Sequence, residues 1–156
     1  MEFIAQLHPK IVHFPVALLS IYALLEITGV LSKKEFFKKA AYLFLFLGVL
    51  SAVAAVISGN QASDIASQWE DKGAIIPFGL ISQHEEFATI TLWYFTGLLV
   101  LRTFLVVKKK YTGMIQYIFI VLAIIGGYLI YETGDLGGKL VYKHGVGTEL
   151  KKEEIK

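Results

Sequence analysis

Four long apolar runs limit what this chain can become. They are Ile11–Leu31, Ala40–Ser58, Phe87–Val107 and Met114–Tyr131, each 18 to 21 residues long. At about 1.5 Å of rise per residue, helices of that length cross a bilayer core of about 30 Å. Lipid offers no partner to an open backbone N–H or C=O, so helix is the form these runs take there. Composition agrees, with 55% hydrophobic and only 18% charged residues, where a water-soluble domain carries about 25% charge. The shortfall argues against a soluble enzyme and against disorder. The first run lacks a basic leader and a small-residue cleavage site, and Pro15 stands near its start, so it reads as a permanent span. The expected fold is an all-α integral membrane four-helix bundle over residues 1–148, followed by a polar tail at 149–156.

The connections predict an orientation. Spans one and two are joined by residues 32–39, which include Lys33, Lys34, Lys38 and Lys39. Spans three and four are joined through Lys108, Lys109 and Lys110, and Arg102 can snorkel towards the same end. These eight cations are more than half of the fifteen in the chain. The 59–83 connection holds only Lys72, against Asp64, Glu70 and Asp71. The positive-inside rule then puts both short loops in the cytoplasm, and both termini and the long second loop on the outer side of the inner (cytoplasmic) membrane. Within that loop Ser63-Asp64 resembles a helix start and Gly73 a helix end, with Ile65, Ala66 and Trp69 on one face. An interfacial helix covering the bundle is the expected result.

Several chemistries are excluded early. The chain has no Cys, which removes disulfides, thiolate metal sites, Fe–S clusters and covalent c-type haem. A net charge of +2 does not suggest nucleic acid as a partner. No nucleophile–base set, phosphate loop or metalloprotease motif is present, so an electron-transfer or accessory subunit is expected rather than a stand-alone enzyme.

The histidines carry the functional signal. The chain has four, His8, His13, His84 and His144, and the topology places all of them on the outer rim. A lone interfacial His is usually a hydrogen-bonding residue at headgroup level; four on one rim and none on the other is a stronger pattern. Facing imidazoles in an apolar bundle suit haem b, whose iron takes one neutral nitrogen from each side. His13 and His84 are the expected pair because both are attached to spans that begin at the same depth. His8 and His144 form a second pair or close the rim, and the pairing stays open. Pro9 suggests a non-helical His8 leading into a helix start. Phe14, Phe78, Phe87, Trp93 and Tyr142 lie near these positions in sequence. Gly48, Ser51, Ala52 and Ala55 leave room for a flat ring or, more commonly, for close helix packing. A Zn or Cu site is a further option, since three or four imidazoles satisfy either metal.

The segments around these histidines resemble a known family. His8-Pro9-Lys10-Ile11-Val12-His13-Phe14-Pro15-Val16-Ala17-Leu18 is similar to the HPxxVHFPxAL opening of a bacterial and archaeal family of small four-span membrane proteins. Gly137-Gly138-Lys139-Leu140-Val141-Tyr142-Lys143-His144-Gly145-Val146-Gly147 resembles its second signature, GGxLVYxHGVG, and His84 supplies the His that opens the third span. The family is catalogued as a domain of unknown function. The resemblance implies a redox link, because members occur with or fused to cytochrome domains.

Ionisable groups within the spans have a plainer reading. Glu26 lies five residues from the end of span one, where a proton-relay or quinone-site role competes with the plainer one of reaching the interface or pairing with Arg102; the plainer role is expected. Tyr128, Tyr131 and Glu132 suit either an aromatic belt or bonds to haem propionates. The overall expectation is a cytochrome b-type electron-transfer subunit with one or two bis-His haems near the outer face. It would pass electrons between a periplasmic cytochrome and a quinone or a larger membrane redox complex. The alternative is a haem-free structural or assembly subunit of such a complex.

Overall fold

A computed structural model describes residues 2–70 and 75–147 of the chain. Five helices account for nearly all of it: α1 (Glu2–Ile11), α2 (His13–Leu31), α3 (Glu35–Glu70), α4 (Phe78–Val107) and α5 (Met114–His144). No strand occurs among the described residues. Four helical stretches, Phe3–Leu31, Glu35–Glu70, Phe78–Val107 and Met114–His144, are long and apolar enough to cross a membrane. Helices α1 and α2 together form the first of these.

The junction between α1 and α2 has a covalent cause. Pro15 cannot donate to the carbonyl of Ile11, four residues before it, and its ring crowds that carbonyl. The helix breaks there, at Val12, although Val12 itself keeps right-handed dihedrals. His8 is therefore helical, unlike the sequence expectation. Pro9 removes one hydrogen bond near the end of a ten-residue helix, too little to unravel it when α1 also packs against α3.

Helices α2, α3, α4 and α5 form a ring. Backbones approach closely between α2 and α3, α3 and α4, α4 and α5, and α5 and α2, but not across either diagonal. Chain neighbours are thus spatial neighbours, as short connections between antiparallel helices require. The core between them contains Leu19, Tyr22, Leu45, Phe95, Phe119 and Ala123. Outward faces are apolar as well, with Leu24, Leu50, Val100 and Ile124 all exposed. Such a surface is the expected one where lipid is the solvent.

Small residues permit this packing. A Cβ added to Gly48 would stand 2.4 Å from Leu19 Cδ2, and one added to Gly126 would stand 2.5 Å from Phe95 Cζ. Ala52 and Ala55 are buried alongside. Leu19 and Phe95 fill the spaces at Gly48 and Gly126, so these glycines serve helix association.

The helices run further than the apolar runs. Helix α3 continues twelve residues past Ser58 to Glu70, α4 begins nine residues before Phe87, and α5 ends thirteen residues after Tyr131. At about 1.5 Å per residue, the 36 residues of α3 reach about 54 Å, well beyond a hydrocarbon core of about 30 Å. The expected separate interfacial helix at 63–73 is instead the end of α3 up to Glu70; Asp71, Lys72 and Gly73 lie outside the described residues, as does the tail Glu149–Lys156. A second, smaller core holds these extensions together. It contains Ala66, Ile76, Ile81 and Leu140, with Trp69, Phe78, Leu80 and Val146 packed against it.

Candidate functional site: a facing histidine pair

The extended end of the bundle brings two of the four histidines together. The rings of His8 on α1 and His84 on α4 have centroids 6.5 Å apart and planes inclined at 70°. The backbones of α1 and α4 do not approach each other closely, and neither do those of α1 and α5. The two rings therefore meet edge-on, from helices whose backbones do not pack on one another.

Hydrogen bonds determine which nitrogen of each ring is available. His84 Nδ1 lies 3.1 Å from the carbonyl oxygen of Thr133. A carbonyl only accepts, so Nδ1 carries the proton. His8 Nδ1 lies 3.0 Å from Ser58 Oγ, and the Ser58 hydroxyl donates to the carbonyl of Ala55 at 3.0 Å. With that one proton committed, Ser58 Oγ accepts from His8 Nδ1–H. This hydrogen-bond network assigns both rings the same tautomer, with an Nε2 lone pair on each. The 3.0 and 3.1 Å hydrogen bonds of the two rings run through Nδ1, and the Ala55 carbonyl also bonds the His8 ring. An Nδ1–H held by a protein oxygen is the usual support for an imidazole whose other nitrogen binds a metal.

Both rings are also held by glycines. A Cβ on Gly59 would come within 3.0 Å of His8 Cε1, and one on Gly137 within 3.2 Å of His84 Cε1. Around Thr133 the backbone is itself braced: Thr91 Oγ1 lies 3.0 Å from Thr133 Oγ1, and Thr133 Oγ1 donates to Leu129 O at 2.8 Å. The C-terminal signature now has a physical reading. Gly137 seats His84, Leu140 is core, and Gly145 ends α5 in the left-handed conformation at φ 65°. The turn that follows folds back towards α1, where Gly147 approaches Pro9.

The structure brings His8, not His13, beside His84. His13 is exposed, and so is His144 at the last position of α5. Five residues of helix turn the chain by about 140° beyond one full revolution, so His8 and His13 cannot face α4 together. His144 sits where a cation complements the carbonyl end of a helix. Among the described residues, no group of three or more His, Asp or Glu gathers as a metal site. Phe14, Trp93 and Tyr142 point outward, as do Tyr128 and Tyr131. Ser58, Gly59, Gly137 and Thr133 are the supporting residues that sequence reasoning did not assign; the Ser-Gly step within an otherwise apolar α3 was the available signal for the first two.

Two neutral imidazoles are a donor set that could hold a haem iron. Two nitrogens on opposite sides of one metal ion stand about 4 Å apart at metal–imidazole bonds of about 2.0–2.1 Å, which puts ring centroids about 6 Å apart. The observed 6.5 Å is close to that.

A second polar cluster occupies the lysine-rich end. Arg102 and Glu26, each 1% exposed, form a buried ion pair. Arg102 also donates to the carbonyl of Lys38 at 2.9 Å, and the Tyr111 hydroxyl donates to Glu26. The guanidinium lies 4.7 Å from the Tyr111 ring centroid. Glu26 thus takes the pairing role, joining α2, α3, α4 and the α4–α5 connection. Removing either partner from such a pair typically costs about 3–5 kcal/mol, because the other charge is left buried.

Residues 5–150 match the family described as "Predicted membrane protein (DUF2231)". No curated protein and no solved structure matches the chain.

Proposed function

The chain belongs to that membrane-protein family, and from this premise we propose that His8 and His84 hold one haem b and that the protein is an electron-transfer subunit. One observation carries the reading: two imidazoles on different helices stand with ring centroids 6.5 Å apart, each with Nδ1 tied to an oxygen, which leaves Nε2 as the ligating nitrogen of each ring. Haem bound there would supply one-electron chemistry, and filling both axial positions favours electron transfer over oxygen binding. The protein's own residues set the ligands' direction and tautomer: Ser58 for His8, the Thr133 carbonyl for His84, with Gly59 and Gly137 at the ring edges. Because α3, α4 and α5 extend beyond the apolar runs at this end, the haem would lie near one membrane face. The proposed exchange is between a carrier protein on the outer face of the inner membrane and a quinone or larger redox complex.

The test is an absorption spectrum of the detergent-purified protein, oxidised and dithionite-reduced, with a pyridine haemochrome assay. A low-spin b-type spectrum is expected, lost in His8→Ala and in His84→Ala but kept in His13→Ala and His144→Ala. A protein that stays colourless when expressed with haem precursor overturns the reading in favour of a haem-free structural subunit. Loss of the spectrum only in His13→Ala or His144→Ala would reassign the ligands.

A further inference from the structure

The opposite end of the bundle contains a cavity of about 730 Å³, within the range of about 300–1,000 Å³ typical of small-molecule sites. It opens between the α2–α3 turn, the end of α4 and the start of α5. Five cations line it, Lys33, Lys38, Lys39, Lys109 and Arg102, against one carboxylate, Glu35. Glu35 is engaged by Lys38 at 2.8 Å, and Arg102 is engaged by Glu26 behind the wall. Lys33, Lys39 and Lys109 have no carboxylate partner among the described residues. Arg102, 1% exposed, keeps its Nε without any hydrogen-bond partner. A concave site with three unbalanced charges and a buried guanidinium is built for an anion.

A second space adjoins it. Tyr42 lines both this cavity and a groove of about 590 Å³ whose other walls include Phe46, Leu99, Val100, Phe104 and Val107. The groove lies between α3 and α4 and is apolar, apart from Thr103, whose hydroxyl is 2.8 Å from the Tyr42 hydroxyl. A cationic pocket that shares the Tyr42 wall with an apolar groove between membrane-spanning helices matches one kind of ligand: an amphiphile with a negative head.

We propose that the two spaces form one binding site for an anionic phospholipid, with the phosphodiester in the cation-lined cavity and an acyl chain in the α3–α4 groove. Free phosphate would use the first space alone. A zwitterionic lipid brings no net charge to match the lysines.

The experiment is native mass spectrometry of the full chain, released from nanodiscs with equal phosphatidylglycerol and phosphatidylcholine. Phosphatidylglycerol should be retained over phosphatidylcholine about fivefold or more, since each lysine at a membrane surface contributes roughly a factor of five. The triple variant Lys33→Gln, Lys39→Gln, Lys109→Gln removes the three unpaired charges and should abolish that preference, bringing the two lipids to about equal retention. Val100→Trp, which fills the groove without changing charge, should also lower phosphatidylglycerol retention. Lys10→Gln with Lys143→Gln, at the histidine end, should leave it unchanged. Equal retention of both lipids, or an equal loss in the Lys10 and Lys143 variant, overturns the site. Displacement of the lipid by inorganic phosphate, with Val100→Trp unaffected, overturns the lipid assignment in favour of a free anion. Should the triple variant fail to fold, Val100→Trp and the two-lipid comparison decide the matter alone.

Discussion

The hydroxyl of Ser58 has a single proton, and the Ala55 carbonyl takes it. That leaves the oxygen lone pairs to receive His8 Nδ1–H, and the ring is thereby fixed in one tautomer and one direction. His84 reaches the same state through a backbone carbonyl, which no substitution at Thr133 deletes. The two ligands therefore differ in how they can be perturbed. Ser58→Ala is expected to weaken haem affinity about 10–100-fold, as loss of a ligand's outer hydrogen bond commonly does, without unfolding the bundle. Haem titration followed at the Soret band measures it, with Ser67→Ala, which removes an exposed hydroxyl on the same helix, as the control. An affinity unchanged by Ser58→Ala would separate the hydroxyl from the site. The four histidines were visible in the sequence, but the choice among them was not. It depends on where each stands around its helix axis, and His8 and His13 lie on different faces.

Helix ends and helix contacts set the shape at the next scale. Hydropathy marks where a helix can be immersed in lipid, and it stops where polar residues begin. Helices α3, α4 and α5 continue past those points because a second core, with Ala66, Ile81 and Leu140, buries their extensions against one another. That contact is non-local and left no periodic signal strong enough to read. Glycines that could have made room for a cofactor ring instead seat neighbouring side chains. At Gly126 the neighbour is the rigid ring of Phe95, itself fully buried. Gly126→Ala is expected to destabilise the bundle by about 1–3 kcal/mol through overpacking. Combining it with Phe95→Leu should cost less than the sum of the two changes, by about 0.5 kcal/mol or more. Thermal unfolding in detergent, followed by circular dichroism, tests this; strictly additive losses would show that the two residues do not compete for one space.

Across the whole molecule, the two ends differ in chemistry. One carries facing imidazoles above the apolar spans; the other carries lysines around a buried Glu26–Arg102 pair. The positive-inside expectation assigns the lysine end to the cytoplasm, and the absence of cysteine makes that directly testable. Single variants Lys34→Cys, in the α2–α3 turn, and Tyr142→Cys, 91% exposed near the end of α5, sit at opposite ends. A membrane-impermeant maleimide on intact cells should label Tyr142→Cys at once and Lys34→Cys only after lysis. The reverse pattern would invert the orientation and move the histidine pair to the cytoplasmic face.

Sequence by itself determined that this chain has four membrane-spanning helices, with lysines collected at one end and histidines at the other. Those properties are local: run length is judged against bilayer thickness, and charge is counted loop by loop. Tertiary structure decided that His8, not His13, meets His84, that Ser58 and Thr133 orient them, and that Arg102 and Glu26 close on each other beside a lysine-lined cavity. Each of these depends on how helices rotate and where they bend relative to their neighbours, and that is decided by packing between residues far apart in the chain.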